Sequence, residues 1–201
     1  MIIDNNFFID LKVFLNDISK NHILPNLGKV SSSDIKIKVD SSKATIHDEN
    51  IESLLISYFT SKGFTSFIAE ETYPSNFNNK NKYLTLDPID GTRNFIYGVN
   101  KIAIMISYIE NKKNIFSVIH NPINNDFYHI VDNKIFKNFQ LHNIRNLNGH
   151  IGYLSNIGIN KFSSINGDYK IKDRSSSIGY DMIQILEGDR SFLPLHKGKI
   201  W

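Results

Sequence analysis

Cysteine is absent from the 201 residues, which excludes disulfide scaffolds, thiolate zinc sites, CxxC redox motifs and a cysteine nucleophile together. Any chemistry must therefore use oxygen and nitrogen groups. Alanine occurs only at 44, 69 and 103, while Ile, Asn and Lys dominate; this reads as a coding bias without functional content. Long apolar runs are lacking too. Ile102 to Ile109 is interrupted by Ser107 and falls far short of the roughly 18 residues of a membrane span. The stretch from Met1 to Asp10 carries Asp4 and Asp10 and has no basic region before its apolar residues, so no secretory signal is expected and a cytoplasmic location is. Charge of one sign is scarce as well: 23 basic and 20 acidic residues leave +3. The basic residues fall in scattered pairs such as Lys36/Lys38, Lys112/Lys113 and Lys197/Lys199, not in a cluster interleaved with stacking aromatics. Neither a nucleic-acid polymer nor a membrane is expected as a partner.

Apolar surface is not lacking. Fourteen Phe, nine Tyr and a hydrophobic share of 41% exclude disorder and suffice for one domain, or one and a half. Phe7, Phe8, Leu11, Phe14, Leu15, Ile18 and Ile23 recur at helical spacing over 5–24, and Pro25 stops the pattern. Asp34 to Asp40 alternates apolar and charged residues as a half-buried strand does. Thr45 can cap a second helix carrying Ile51, Leu54, Leu55, Tyr58 and Phe59, with Gly63 ending it. Short strands are expected at 66–69 and 83–86, the second ending at Asp87. Hairpins are expected at 102–120 around Asn111-Lys112-Lys113, and at 126–136 around Asp132-Asn133. Strands at 151–154 and 169–171 and a helix over 177–186 follow. The order implies an α+β fold of layered α/β/α/β type with a large, mostly antiparallel sheet.

Acidic residues gather at strand ends: Glu70-Glu71 after one strand, then Asp87-Pro-Ile-Asp-Gly-Thr92 after the next. Carboxylates this close repel one another unless a cation lies between them, and hard oxygen ligands suit Mg²⁺ or Mn²⁺. Pro88 fixes the backbone between Asp87 and Asp90, which can aim both side chains and the Ile89 carbonyl at one point. Gly91 permits close backbone approach, and if Gly91-Thr92 open a helix their amides can cradle a phosphate. Taken singly, each fragment has a blander reading, because Asp-Gly is common in turns and Glu-Glu pairs are usually solvated. The two acidic groups at consecutive strand ends favour the cation. His47, His120, His129 and His196 lie in dissimilar surroundings without i, i+4 pairing, and are expected as surface or partly buried residues, not ligands.

With these residues the chain resembles the inositol monophosphatase superfamily of Mg²⁺-dependent, lithium-sensitive phosphatases. The family's hallmark hexapeptide stands unaltered at Asp87 to Thr92, followed by Arg93-Asn94-Phe95. Its Gly-Glu-Glu is matched by Ala69-Glu70-Glu71, and an upstream pattern by Lys38, Asp40, Ser42, Thr45 and Asp48. Arg174-Ser-Ser-Ser177, Asp181, Glu187-Gly188 and Lys199-Ile-Trp201 match its second region. The resemblance covers essentially the whole chain. It implies a sugar-phosphatase-like fold, with an N-terminal α+β metal-binding subdomain over 1–140 and an incomplete C-terminal α/β subdomain over 141–201. It implies Glu70, Asp87, Asp90 and the Ile89 carbonyl as metal ligands, and Glu70 and Thr92 as the residues that orient and deprotonate the attacking water. Gly91, Thr92 and Ser177 would bind phosphate or substrate, and Asp48 and Glu71 would support the ligands from behind. A homodimer is the partner the family suggests.

Three departures qualify the expected activity. The family places a ligating aspartate after the tryptophan matched by Trp201, where this sequence stops, so a C-terminally truncated and impaired enzyme is expected. Leu195 stands where inositol-specific members tend to carry glutamate, and Ser176 replaces a family glycine. The expected function is therefore Mg²⁺-dependent hydrolysis of a small phosphorylated alcohol such as inositol monophosphate. The alternatives are a 3′(2′),5′-bisphosphate nucleotidase of the same superfamily, or a catalytically impaired relative that serves as a binding protein or is a non-functional product.

Overall fold

The computed structural model describes residues 3–38, 41–72, 81–144, 150–154 and 169–191. Asp4 opens the first helix, α1 (Asn5–Ile18), by accepting the Phe7 amide at 3.0 Å. Phe7, Phe8, Leu11, Leu15 and Ile18 form its buried stripe. The helical pattern expected up to Pro25 is completed by a wide π turn, Ser19–Ile23. A hairpin of β1 (Ile35–Ile37) and β2 (Lys43–Thr45) follows. It differs from the half-buried strand expected here, because Ile37 is 76% exposed.

Thr45 then caps α2 (Ile46–Ser61) as expected, and Asp48 closes a capping box with it by accepting the Thr45 amide. Gly63, at φ +89°, turns the chain away after it. Among the described residues the central sheet has seven strands in chain order: β3 (Phe67–Ala69), β4 (Lys82–Asp90), β5 (Ala103–Glu110), β6 (Lys113–Asn121), β7 (Asp126–Val131), β8 (Lys134–Lys137) and β9 (Gln140–Leu141). Only β3–β4 is parallel; the other pairs are antiparallel. The hairpin turns at Asn111-Lys112 and Asp132-Asn133 place both central residues at positive φ, the two-residue geometry that matches strand twist. A short helix, α3 (Thr92–Ile96), lies between β4 and β5. A parallel pair, β10 (His150–Leu154) and β11 (Tyr169–Asp173), precedes α4 (Ile178–Leu186).

One face of the sheet carries Leu84, Leu86, Ile104, Ile106, Phe116, Val118 and Phe127, which join the buried residues of α1 and α2 in a single apolar core. The alternate residues of β4 and β5 face α4: an atom added at the Gly179 Cα would meet Ala103 and Met105 at 2.8 and 2.9 Å. Helices, sheet and helix thus form the layers of an α+β fold.

The strand expected to end at Asp87 continues to Asp90. Asp87 pairs with Met105 and Asp90 with Ala103, so three steps along β4 face two along β5. That is a β-bulge. Pro88, which has no amide to donate, is tolerated inside the strand at such an irregularity. In a regular strand residues three apart point to opposite faces. The extra residue brings Asp87 and Asp90 to the same face, opposite Met105 and Ala103 and toward α4, while Ile89 joins the apolar core.

Candidate active site

Four chain segments meet at the bulge. The Glu70 amide donates to the Leu86 carbonyl at 3.1 Å, which lays Glu70 beside Asp87. Gly91, at φ +93°, turns the chain from β4 into α3; a Cβ there would strike Ser177 at 2.9 Å and the Lys101 carbonyl at 3.0 Å, so only glycine fits. Thr92 Oγ1 lies 3.2 Å from both the Asp48 carboxylate and the Ile89 carbonyl, and its single proton can go to either. Asp48 is fully buried and also accepts the Thr45 amide and hydroxyl, so the residue expected behind the ligands touches Thr92 directly.

Asp90 is held by the start of α4. The Ser177 hydroxyl donates to it through a short hydrogen bond, the Gly179 amide at 2.6 Å and the Ile178 amide at 3.2 Å. Ser177 is itself buried and caps α4 by accepting the Tyr180 amide. Its side chain is thereby committed to Asp90 and to the helix. Ser176, where the resemblance expects glycine, stands at φ +69°, a backbone conformation that favours glycine. Asp181 and Asn94 secure this bend by bonding the Ser175 amide and carbonyl.

Glu71 was open to reading as a solvated residue, yet only 4% of its side chain is exposed. Lys38, from the end of the β1–β2 hairpin, reaches Glu71 at 2.8 Å and Glu70 at 3.3 Å. Glu52 had no expected role. It is 1% exposed and accepts the Glu71 amide at 2.7 Å, the Thr72 amide at 2.9 Å and the Thr72 hydroxyl at 2.6 Å. A signal for it exists in the sequence: Asp48 and Glu52 are four apart on α2, one above the other, and Glu52 follows the apolar Ile51 on the stripe that packs inward.

The electrostatics follow from burial. Desolvation, then the charges of Asp90 and Glu70, hold the Asp87 carboxyl well above the usual range. Burial also raises Asp90 against the pull of its hydrogen bonds from Ser177, Gly179 and Ile178. Asp48 is pushed up to about 6 and Glu71 to about 7, in both cases by burial first. Among the described residues no three acidic or histidine side chains close around a point as a finished cage; Asp90 is drawn to α4 and Glu70 toward Lys38. Even so, the donor set fits a hard divalent cation. Asp87 Oδ1 is buried without a hydrogen-bond partner, and a bound cation would offset both the burial of charge and the repulsion from Asp90 and Glu70 that raise the Asp87 carboxyl. Asp40, Leu195, His196 and Trp201, and with them the expectations about the missing ligand and substrate choice, lie outside the described residues.

The sequence profile of the Inositol monophosphatase family matches residues 18–201. Inositol monophosphatase 1 of Bos taurus is 32% identical over 103 residues, covering 48% of this chain and 37% of that protein. The 3′(2′),5′-bisphosphate nucleotidase CysQ of Haemophilus influenzae is 28% identical over 123 residues, covering 56% and 44%. The chain thus spans less than half the length of these curated relatives. Its fold is similar to that of an IMPase from Thermotoga maritima, with a TM-score of 0.79 at 18% identity over 94% of this chain and 75% of that one.

Proposed function

The chain belongs to the inositol monophosphatase family, and from that premise we propose that it hydrolyses a small phosphate monoester with the help of Mg²⁺ or Mn²⁺, inositol monophosphate being the first substrate to test. The observation that carries this reading is the bulge that turns Asp87 and Asp90 to one face and leaves Asp87 Oδ1 buried and unpartnered. Asp87, Asp90, Glu70 and the Ile89 carbonyl would hold the metal. When bound, such an ion lowers the pKa of water and neutralises charge on the leaving alkoxide.

The chain's own groups would do the rest. Glu70 orients the attacking water and takes its proton. Thr92 Oγ1 fixes the same water, with Asp48 behind it holding the hydroxyl in place. The Gly91 and Thr92 amides, at a helix start where amides lack intrahelical acceptors, face the phosphate. The water oxygen bonds to phosphorus as the ester P–O bond breaks, the departing alkoxide takes a proton from solvent water and Glu70 returns its own to solvent, so no phosphoenzyme is required. The similarity to a protein named as a bisphosphate nucleotidase puts 3′-phosphonucleotides on the same test panel.

Phosphate release from inositol monophosphates, sugar phosphates and 3′-phosphonucleotides, measured with and without Mg²⁺ or Mn²⁺, checks the reading. Turnover should require the metal and fall at least about 100-fold in Asp87→Asn, by analogy with losses at metal sites. Metal-independent release, or none from any of these substrates, would sink the enzyme reading for this chain and favour a binding protein.

A further inference from the structure

Glu52 is hydrogen-bonded as fully as Asp48 and Asp90, with three donors each, yet it touches none of the residues expected to do chemistry. Its two oxygens meet three donors. Oε2 accepts the Glu71 amide, and Oε1 accepts both the Thr72 amide and the Thr72 hydroxyl. Each oxygen faces an N–H, so both must be acceptors, and only a carboxylate offers that. A glutamine would turn its NH₂ toward one backbone amide, leaving two donors face to face in a buried place.

The geometry behind this contact links two parts of the site. Asp48 and Glu52 lie one helical turn apart on α2. Asp48 reaches Thr92, which follows the bulge of β4. Glu52 reaches the two peptides that follow Glu70, while Glu70's own amide is tied to Leu86 at the head of the bulge. The face of α2 therefore sets the spacing between the Glu70–Glu71 turn and the Asp87–Thr92 segment. We propose that Glu52 is a positioning residue for the cation site: by clamping the Glu71 and Thr72 amides it holds the Glu70 carboxylate toward Asp87, against the pull of Lys38.

This inference rests on the reading of Glu70 and Asp87 as metal ligands, and its test separates the two. Binding of Mn²⁺ to the whole chain is read by electron paramagnetic resonance of the free ion, with the folded fraction of each protein taken from circular dichroism. Glu52→Gln is expected to weaken Mn²⁺ binding by about 10- to 100-fold per folded molecule, the usual loss when a group supporting a ligand is removed. Thr72→Val, which removes one donor of the three and keeps the shape, is expected to cost less than about threefold. In turnover, Glu52→Gln should raise the Mg²⁺ concentration needed for half activation while kcat recovers at saturating Mg²⁺. Glu52→Asp keeps both acceptors but draws them back by one methylene; it should give an intermediate loss, and it carries the test if the glutamine variant does not fold. Wild-type Mn²⁺ affinity in the folded fraction of Glu52→Gln, or of Glu52→Asp where that variant carries the test, would overturn the inference alone, leaving Glu52 a residue of the fold. A wild-type chain that binds no Mn²⁺ would overturn the metal reading and this inference with it.

Discussion

Asp87 and Asp90 on the α4 face of the sheet, and His120 and His129 on its α1 face, are buried to a similar degree. The two pairs answer burial differently. His120 accepts or donates one hydrogen bond with Ser19 at 3.1 Å, and His129 is stacked between Phe8 and Phe136, with ring centroids 4.3 and 4.9 Å away. Burial pushes them down to about 3 and about 4, so both are neutral imidazoles filling a core. They tolerate an unpartnered Nδ1, because a neutral ring loses far less than an ion when desolvated. At the other face burial pushes carboxyls up, yet they stay gathered, and among the described residues Lys38 brings an ammonium to Glu70 and Glu71. A single buried neutral group is packing. Several acids gathered together and raised by burial first and by one another second are a site suited to positive charge.

The contrast breaks first at its apolar side. Phe8 is 2% exposed and packs on Phe7, Phe116 and His129. Phe8→Ala should cost about 3–5 kcal/mol of stability, read as a fall in the urea midpoint, while Mn²⁺ affinity per folded molecule stays at the wild-type value. A loss of affinity matching the loss of stability would show that the two faces are one unit.

The pH dependence of stability sharpens the comparison next, because the two faces bend it in opposite senses. A histidine whose folded pKa lies below its ordinary 6.5 takes up a proton on unfolding, so stability falls as pH drops below 6.5 toward about 4 for His129 and about 3 for His120. Lys12 and Asp126, which also face His120, act in opposite directions on it. Glu71 is raised to about 7 and Asp48 to about 6, so each binds its proton more readily in the folded chain. Their contribution grows as pH falls through those values and is lost as pH rises through them. Each titrating group contributes a slope of up to about 1.4 kcal/mol per pH unit. In chelator, His129→Phe should therefore move the pH of greatest stability toward acid, and Glu71→Gln toward alkali. Urea midpoints measured between pH 5.5 and 8 decide it; the same optimum in all three proteins would mean that neither face titrates as described.

Much of this division was legible in the sequence, for local reasons. The cap at Thr45, the helix stop at Gly63 and the Asp132-Asn133 turn each depend on residues within a few positions of one another. What escaped depends on distant ones. The strand was expected to end at Asp87, and only pairing with β5 reveals the bulge that carries it through Pro88 to Asp90. Glu52 carried no expected role, because the turn at Glu71–Thr72 that bonds it lies about twenty residues further along the chain. Phe139, at φ +71°, turns the chain into β9 with a residue that no turn rule nominates. The acidic residues of the site, with Asp48 and Glu71 behind them, were visible as chemistry or by resemblance, but the Glu52 support was visible only as a contact.

The smallest effect tests whether strain is stored on the acidic side. Ser176 is exposed, yet it sits at φ +69°, where a side chain costs an L-residue roughly 1–2 kcal/mol. Its neighbours hold it there. The Ser175 amide goes to Asp181 and its carbonyl accepts from Asn94, while the Ser175 hydroxyl donates to the Ser177 carbonyl. The bend they impose is what brings the Ser177 hydroxyl onto Asp90. Ser176→Gly removes the strain without touching any of those bonds, and the greater freedom of glycine in the unfolded chain takes back about 0.4–1 kcal/mol of the gain. The net should be a stabilisation of less than about 1 kcal/mol, seen as a small rise in urea midpoint, with Mn²⁺ affinity unchanged. A fall in stability would mean that the bend is relaxed as it stands, and that strain does not distinguish the acidic face from the histidine face.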